Sequence, residues 1–205
     1  MKKRIFIAIN LPENIKRRLV EFKEKWDGLF TRHSLGGGGP VRWTKKDSLH
    51  LTLVFIGYAS DEEMYEVCKI TRGIAQKQEP FSLNFDKIIY GPPIRQAQGR
   101  PYQPPRMIWL YGRPSQELVW VKTKLEDALS ELSGLSQFRP ERRYLTPHVT
   151  LARMKMGLRQ GPAELPKIEQ DFKFGFNVEI IDVMESDLRS DGAEYTVLEE
   201  CPLGN

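Results

Sequence analysis

Apolar positions along this chain follow two periods. The run Ile5-Phe6-Ile7-Ala8-Ile9 is continuous and stops at Asn10 and Pro12, which predicts a first buried strand. Pro12 then opens a helix to about Leu29, with Ile15, Leu19, Phe22 and Trp26 on one stripe and Lys and Glu on the other face. Val41–Thr44 and Leu49–Ile56 read as strands, Asp61–Lys77 as a second helix, and Phe81–Tyr90 as a strand with Phe81, Leu83 and Phe85 in alternation. Met107–Tyr111 is a further strand, and Ser115 caps a helix to roughly Leu132. One more strand follows Pro147. Phe172–Val178, Ile180–Ser186 and Tyr195–Leu198 complete the set, the last two joined by a turn around Asp191-Gly192.

Each half therefore contains strands and at least one helix, which predicts an α+β fold of two sheet-and-helix lobes, approximately 1–90 and 106–205, in one domain. The connection 91–105 is rich in Pro, Gly and Gln, carries Arg95, Arg100 and Tyr102, and reads as a long surface loop.

One local pattern occurs once in each half. His50-Leu51-Thr52-Leu53 and His148-Val149-Thr150-Leu151 both lie on predicted strands, where alternation puts the imidazole and hydroxyl on one face and the apolar pair on the other. If the halves pack about a pseudo-two-fold axis, two imidazoles and two hydroxyls converge. Two histidines form an acid and base pair near neutral pH, since their ordinary pKa of about 6.5 lets one ring be charged and one neutral. Hydroxyls donate to phosphate oxygens. With a phosphodiester held between the motifs, the protonated ring would give a proton to the leaving oxygen as the neutral ring takes one from the attacking water. Thr52 and Thr150 would stabilise the equatorial oxygens. A bell-shaped pH dependence is the expectation.

That scheme requires no metal or cofactor, and neither a His-Glu-x-x-His nor a Cys-x-x-Cys is present. The run Gly36–Gly39 lacks the following Gly-Lys-Ser/Thr of a phosphate loop, and His33 beside it, without a threonine partner, is assigned to the surface.

Composition narrows the setting. The 205 residues, 40% hydrophobic and 28% charged, suit a folded chain rather than a disordered one. The net charge of +4, with an isoelectric point near 9.0, suits an anionic partner. Cys68 and Cys201 have no metal-ligand spacing and point to a reducing compartment, the cytoplasm. No stretch approaches the roughly 20 apolar residues that cross a bilayer, so no membrane association is expected.

The paired motifs resemble those of the 2H phosphoesterase superfamily, and more specifically the RNA 2′,3′-cyclic phosphodiesterases, historically called 2′-5′ RNA ligases. Met1–Pro12, Val41-Arg42-Trp43, Leu49–Gly57, Pro105–Trp109, Thr146–Arg153 and Ser186–Tyr195 all fit that family's blocks, covering nearly the whole chain. The resemblance implies a bilobal fold with antiparallel, strand-exchanging sheets flanking a central cleft; a monomer is expected because a complete site can form within one chain. It implies opening of an RNA 2′,3′-cyclic phosphate to a 2′-phosphate, with His50 as proton donor and His148 as acceptor, roles the symmetry leaves interchangeable. It also implies substrate contacts five positions after each histidine, at Phe55 for base stacking and Arg153 for phosphate or base. Strict alternation puts both on the face away from the histidines, so their use in the cleft requires a bulge or bend. Trp43 and Tyr90 are candidates for a nucleobase pocket, although such residues more often belong to the core. The chain departs from the family in its extended, basic 91–105 loop, which is either an RNA-gripping element or an insertion. Reverse ligation, cleavage of linear 2′-5′ oligonucleotides, and RNA binding without chemistry are the competing functions.

Overall fold

The structure is a computed structural model that describes residues 2–31, 41–92, 105–135, 137–141, 145–154, 167–168, 170–189 and 192–204. His33, the glycine run, Arg95, Arg100 and Tyr102 lie outside the described residues.

The predicted elements all form. In chain order they are β1 (Lys3–Asn10), α1 (Glu13–Thr31), β2 (Val41–Trp43), β3 (His50–Ala59), α2 (Asp61–Ala75), β4 (Phe81–Gly91), β5 (Met107–Gly112), α3 (Gln116–Ser130), β6 (His148–Met154), β7 (Gln170–Val178), β8 (Ile180–Arg189) and β9 (Gly192–Pro202). Local chemistry sets several boundaries. The Pro12 carbonyl accepts the first amides of α1, and Ser60 and Glu63 cap the start of α2 reciprocally. The Ser115 hydroxyl accepts the Leu118 amide at the start of α3.

The strands make one curled antiparallel sheet in the order β7-β4-β5-β6-β3-β1-β8-β9, with β2 added beside β6. That order is palindromic about the β6/β3 seam. Each half-sheet has a histidine strand at the seam and three further strands beyond it, and each draws strands from both halves of the chain. Fold class is thus α+β with two pseudo-symmetric sheet-and-helix halves.

The seam is a single paired position, Leu51 opposite Val149. In an antiparallel pair, one residue to either side sets His50 across from Thr150 and Thr52 across from His148. Leu51 and Val149 face the main core, with Ile5, Ile7, Ile9, Leu110 and Ile108 from the flanking strands. The predicted α1 stripe of Ile15, Leu19, Phe22 and Trp26 joins that core, each no more than 7% exposed. On the other face, Phe6, Ala8 and Met184 form a separate small cluster with Tyr195 packed against it.

Alternation breaks in both histidine strands at the same place. Between β1 and β3, Ile7 pairs with Val54 but Ala8 with Thr52, leaving Leu53 as an extra residue. Between β5 and β6, Ile108 pairs with Ala152 but Trp109 with Thr150, leaving Leu151 extra. A bulge resets which face the following side chains take. The two strands share one burial sequence as a result: histidine half-buried, apolar buried, threonine half-buried, two residues buried, then Phe55 or Arg153 exposed. Beyond Phe55 a second irregularity adjoins Gly57, whose φ of +94° is open chiefly to glycine.

No described helix is long and apolar enough to cross a membrane.

Candidate active site

The sequence before each motif fixes its imidazole in the same way. Nδ1 of His50 lies 2.9 Å from the Ser48 carbonyl, and Nδ1 of His148 lies 2.8 Å from the Thr146 carbonyl, two residues upstream in both cases. A carbonyl only accepts, so Nδ1 carries the proton in each ring and, in the neutral ring, Nε2 is the nitrogen able to accept one.

The two rings differ in their neighbours. His50 lies 4.9 Å from Phe6 and meets Tyr195 edge-on, also at 4.9 Å, between ring centroids. Its cross-strand partner is Asn10, which donates to the buried Asp182 at 2.8 Å. His148 instead stacks on the indole of Trp109, with centroids 3.8 Å apart and planes at 26°. Gly91 makes that stack possible, because a Cβ there would lie 2.1 Å from the Trp109 ring.

Burial among these rings disfavours charge and pushes His50 down to about 4. The bond to Ser48 opposes the shift, while Lys16, Arg153 and His148 add to it electrostatically. Burial lowers His148 also, against the opposing Thr146 carbonyl and Glu141. Desolvation thus favours the neutral form of both rings in the free protein, below the ordinary titration expected from unperturbed imidazoles. The Leu51–Val149 pair brings the two motifs side by side.

The bulges carry Phe55 and Arg153 to the histidine face, where Phe55 pairs with Phe6 and Arg153 with Met107. Phe55 is 57% exposed, and its ring lies 5.9 Å from Phe6. Arg4 braces it from the same face, with its guanidinium 5.7 Å from the Phe55 centroid and donating to the buried Ser186 hydroxyl at 3.0 Å. Trp43 and Tyr90 are not brought into this group. Their registers put them opposite Ala152 and Ile108, and both pack against the main core. The Trp43 indole N–H donates to Asp27 of α1 at 2.7 Å.

Sequence reasoning passed over Trp109, Tyr195, Asn10 and Gly91 as parts of the site. Strand alternation offered a signal for two of them: Asn10 shares a face with Phe6 and Ala8, and Trp109 shares one with Met107 and Tyr111. The segment entering β6 is held by a buried ion pair within α3. Lys122 pairs with Glu126 and donates to the Glu141 carbonyl, and the Glu126 carboxylate accepts the Glu141 amide.

Comparison with known proteins agrees with this geometry. Residues 9–102 match the family model described as LigT like phosphoesterase. The RNA 2′,3′-cyclic phosphodiesterase of Methanocaldococcus jannaschii is 28% identical over 200 residues, covering 96% of this chain and 99% of that protein. The protein of the same name from Thermus thermophilus is 28% identical over 202 residues, covering 98% and 90%. A solved Thermus thermophilus structure superposes with a TM-score of 0.76 at 25% identity, covering 98% of this chain and 97% of its own. Escherichia coli LigT complexed with 3′-AMP shares the fold, with a TM-score of 0.71 at 22% identity and full coverage of both chains. With its paired motifs joined at one seam, the chain is similar to the LigT-like phosphoesterases, the two-histidine or 2H class, over residues 9–102.

Proposed function

We propose that this protein hydrolyses RNA 2′,3′-cyclic phosphate ends to 2′-phosphomonoesters by metal-independent acid and base catalysis. The observation that carries the reading is the Leu51–Val149 seam, which sets two His-x-Thr motifs side by side with both Nδ1 atoms occupied by carbonyls. The curated relatives named RNA 2′,3′-cyclic phosphodiesterase, at similar identity over most of the chain, support the same activity.

In this reaction Nε2 of neutral His148 takes a proton from the attacking water as its oxygen bonds to phosphorus. Protonated His50 gives its Nε2 proton to the 3′ oxygen as the P–O3′ bond breaks. The products are a 3′-hydroxyl and a 2′-phosphate. Thr52 and Thr150 hydroxyls donate to the equatorial oxygens, where negative charge grows. The environments suit these roles. Desolvated His50 releases a proton readily once the substrate anion has charged it, and the Trp109 face stabilises the imidazolium that forms on His148. Phe55 stacks the terminal base and Arg153 meets a phosphate. With an RNA 5′-hydroxyl in place of water as the nucleophile, the same proton transfers join a cyclic end to a 5′ end through a 2′-5′ linkage as the P–O3′ bond breaks. The protein works as a cytoplasmic monomer, since one chain supplies both motifs and Cys68 and Cys201 are free thiols.

The test is incubation of purified protein, in excess chelator, with an oligoribonucleotide ending in a 2′,3′-cyclic phosphate, beside His50→Ala and His148→Ala. The expected result is a 2′-phosphate from wild type and a loss of about 10²–10⁴-fold in each variant. Folded wild-type protein without turnover between pH 5 and 8 overturns the proposal.

A further inference from the structure

Arg42 stands directly opposite Arg153 where β2 joins β6. Directly paired residues of an antiparallel ladder have Cβ atoms about 4.5–5.5 Å apart on the same face, and like charges so placed repel. Both side chains are exposed, and neither has an ion pair or hydrogen bond among the described residues. By contrast, Lys3 of β1 pairs with Glu185, Arg72 of α2 with Glu199, and Arg113 just after β5 with Asp86. The bulge at Leu151 is what turns Arg153, and with it the β2 register, to the histidine face. Two guanidiniums thus lie side by side at the end of the site past Thr150, where His50 sits across the seam, while Phe55 lies past Thr52 at the symmetry-related end.

Ribose chemistry assigns the two ends. With O2′ and O3′ held between the histidines, the base leaves the sugar at C1′ and the C5′–O5′ arm at C4′, at opposite ends of the ring edge that carries the ring oxygen. A base stacked on Phe55 therefore sends the 5′ oxygen toward β6 and β2.

We infer that Arg42 and Arg153 together form a binding site for the phosphodiester on the 5′ side of the terminal nucleotide. The site takes a dianion or bridging phosphate through paired guanidiniums, and it makes a polymer end a better substrate than a free nucleoside 2′,3′-cyclic monophosphate. The inference rests on the activity proposed above and adds its substrate class, with Arg42 as the specificity-determining residue.

The test compares a nucleoside 2′,3′-cyclic monophosphate with a dinucleotide that adds one 5′ phosphodiester, for wild type, Arg42→Gln and Arg42→Lys. Wild type should prefer the dinucleotide in kcat/KM. Arg42→Gln should reduce that preference about tenfold, which corresponds to one charge-assisted contact. It should also flatten the salt dependence of log KM by about 0.7, while Arg42→Lys keeps the salt slope. An unchanged preference ratio in Arg42→Gln, whether both substrates fall together or neither moves, overturns the inference.

Binding separates this from failure of the catalytic reading. By calorimetry, wild type should hold adenosine 2′,5′-bisphosphate about tenfold tighter than adenosine 2′-monophosphate, and Arg42→Gln should hold the two alike. This comparison stands even if no substrate turns over. A wild type indifferent to the 5′-phosphate overturns the site. Misfolding is checked by melting, where Arg42→Gln should be no less stable than wild type because it removes a like-charge pair.

Discussion

The indole of Trp109 and the imidazole of His148 lie nearly parallel, 3.8 Å apart at their centroids, over a strip of sheet that Gly91 leaves bare. Aromatic neighbours of His50 meet it tilted or edge-on instead. One ring therefore has an electron-rich face against it, suited to a passing positive charge, and the other has a mostly apolar enclosure.

Trp109→Leu should lower kcat about ten- to a hundredfold with little change in KM, since the stack is expected to matter most when His148 is charged. Trp109→Phe should retain more activity. Gly91→Ala should reproduce the Trp109→Leu effect without touching either motif, because the added methyl displaces the indole. Steady-state kinetics of the three variants checks the set, and equal activity in all three would remove Trp109 from the mechanism.

The pH dependence follows from the same burial. Catalysis needs one ring charged and one neutral, and both titrate below the ordinary value in the free protein. The kcat/KM profile, which reports the free enzyme, should be a bell with its maximum below pH 6.5. The kcat profile should lie nearer neutrality, because the bound phosphate favours the charged ring. Measuring both between pH 4 and 9 distinguishes this from unperturbed histidines, for which the two maxima coincide near 6.5.

Stability should respond to acid in a defined window. His50 is held down to about 4 when folded, so between about pH 6.5 and 4 the unfolded chain binds a proton that the folded chain refuses. Unfolding free energy is then intact above the unfolded pKa and declines as pH falls through that range. His50→Leu should flatten the decline over that interval in urea titrations. His148 contributes in the same direction, so a residual slope remains.

Phe55 should divide binding from stability. It is exposed, so Phe55→Ala should shift stability by no more than about 0.5 kcal/mol. Loss of a stacking platform costs about 1–3 kcal/mol per base, so KM should rise roughly five- to a hundredfold. Thermal melting and kinetics on one preparation test both halves of this expectation.

The primary structure, read alone, determined the elements and the chemistry within them. Periodicity placed the α1 stripe, the alternation of Phe81, Leu83 and Phe85, and the apolar run of β1, because these patterns report local backbone geometry. It also showed two imidazoles each two residues from a threonine, which a strand must present on one face. Tertiary structure decided where those faces meet. Pairing of Leu51 with Val149 is a contact between distant residues, and no local period encodes it. The extra residues at Leu53 and Leu151 arise from how β3 and β6 pair with their neighbours, and they alone bring Phe55 and Arg153 to the histidine side. The same holds for Trp109 against His148 and for the low pKa of His50. Both come from what the folded chain packs around a side chain, a property of neighbours rather than of sequence position.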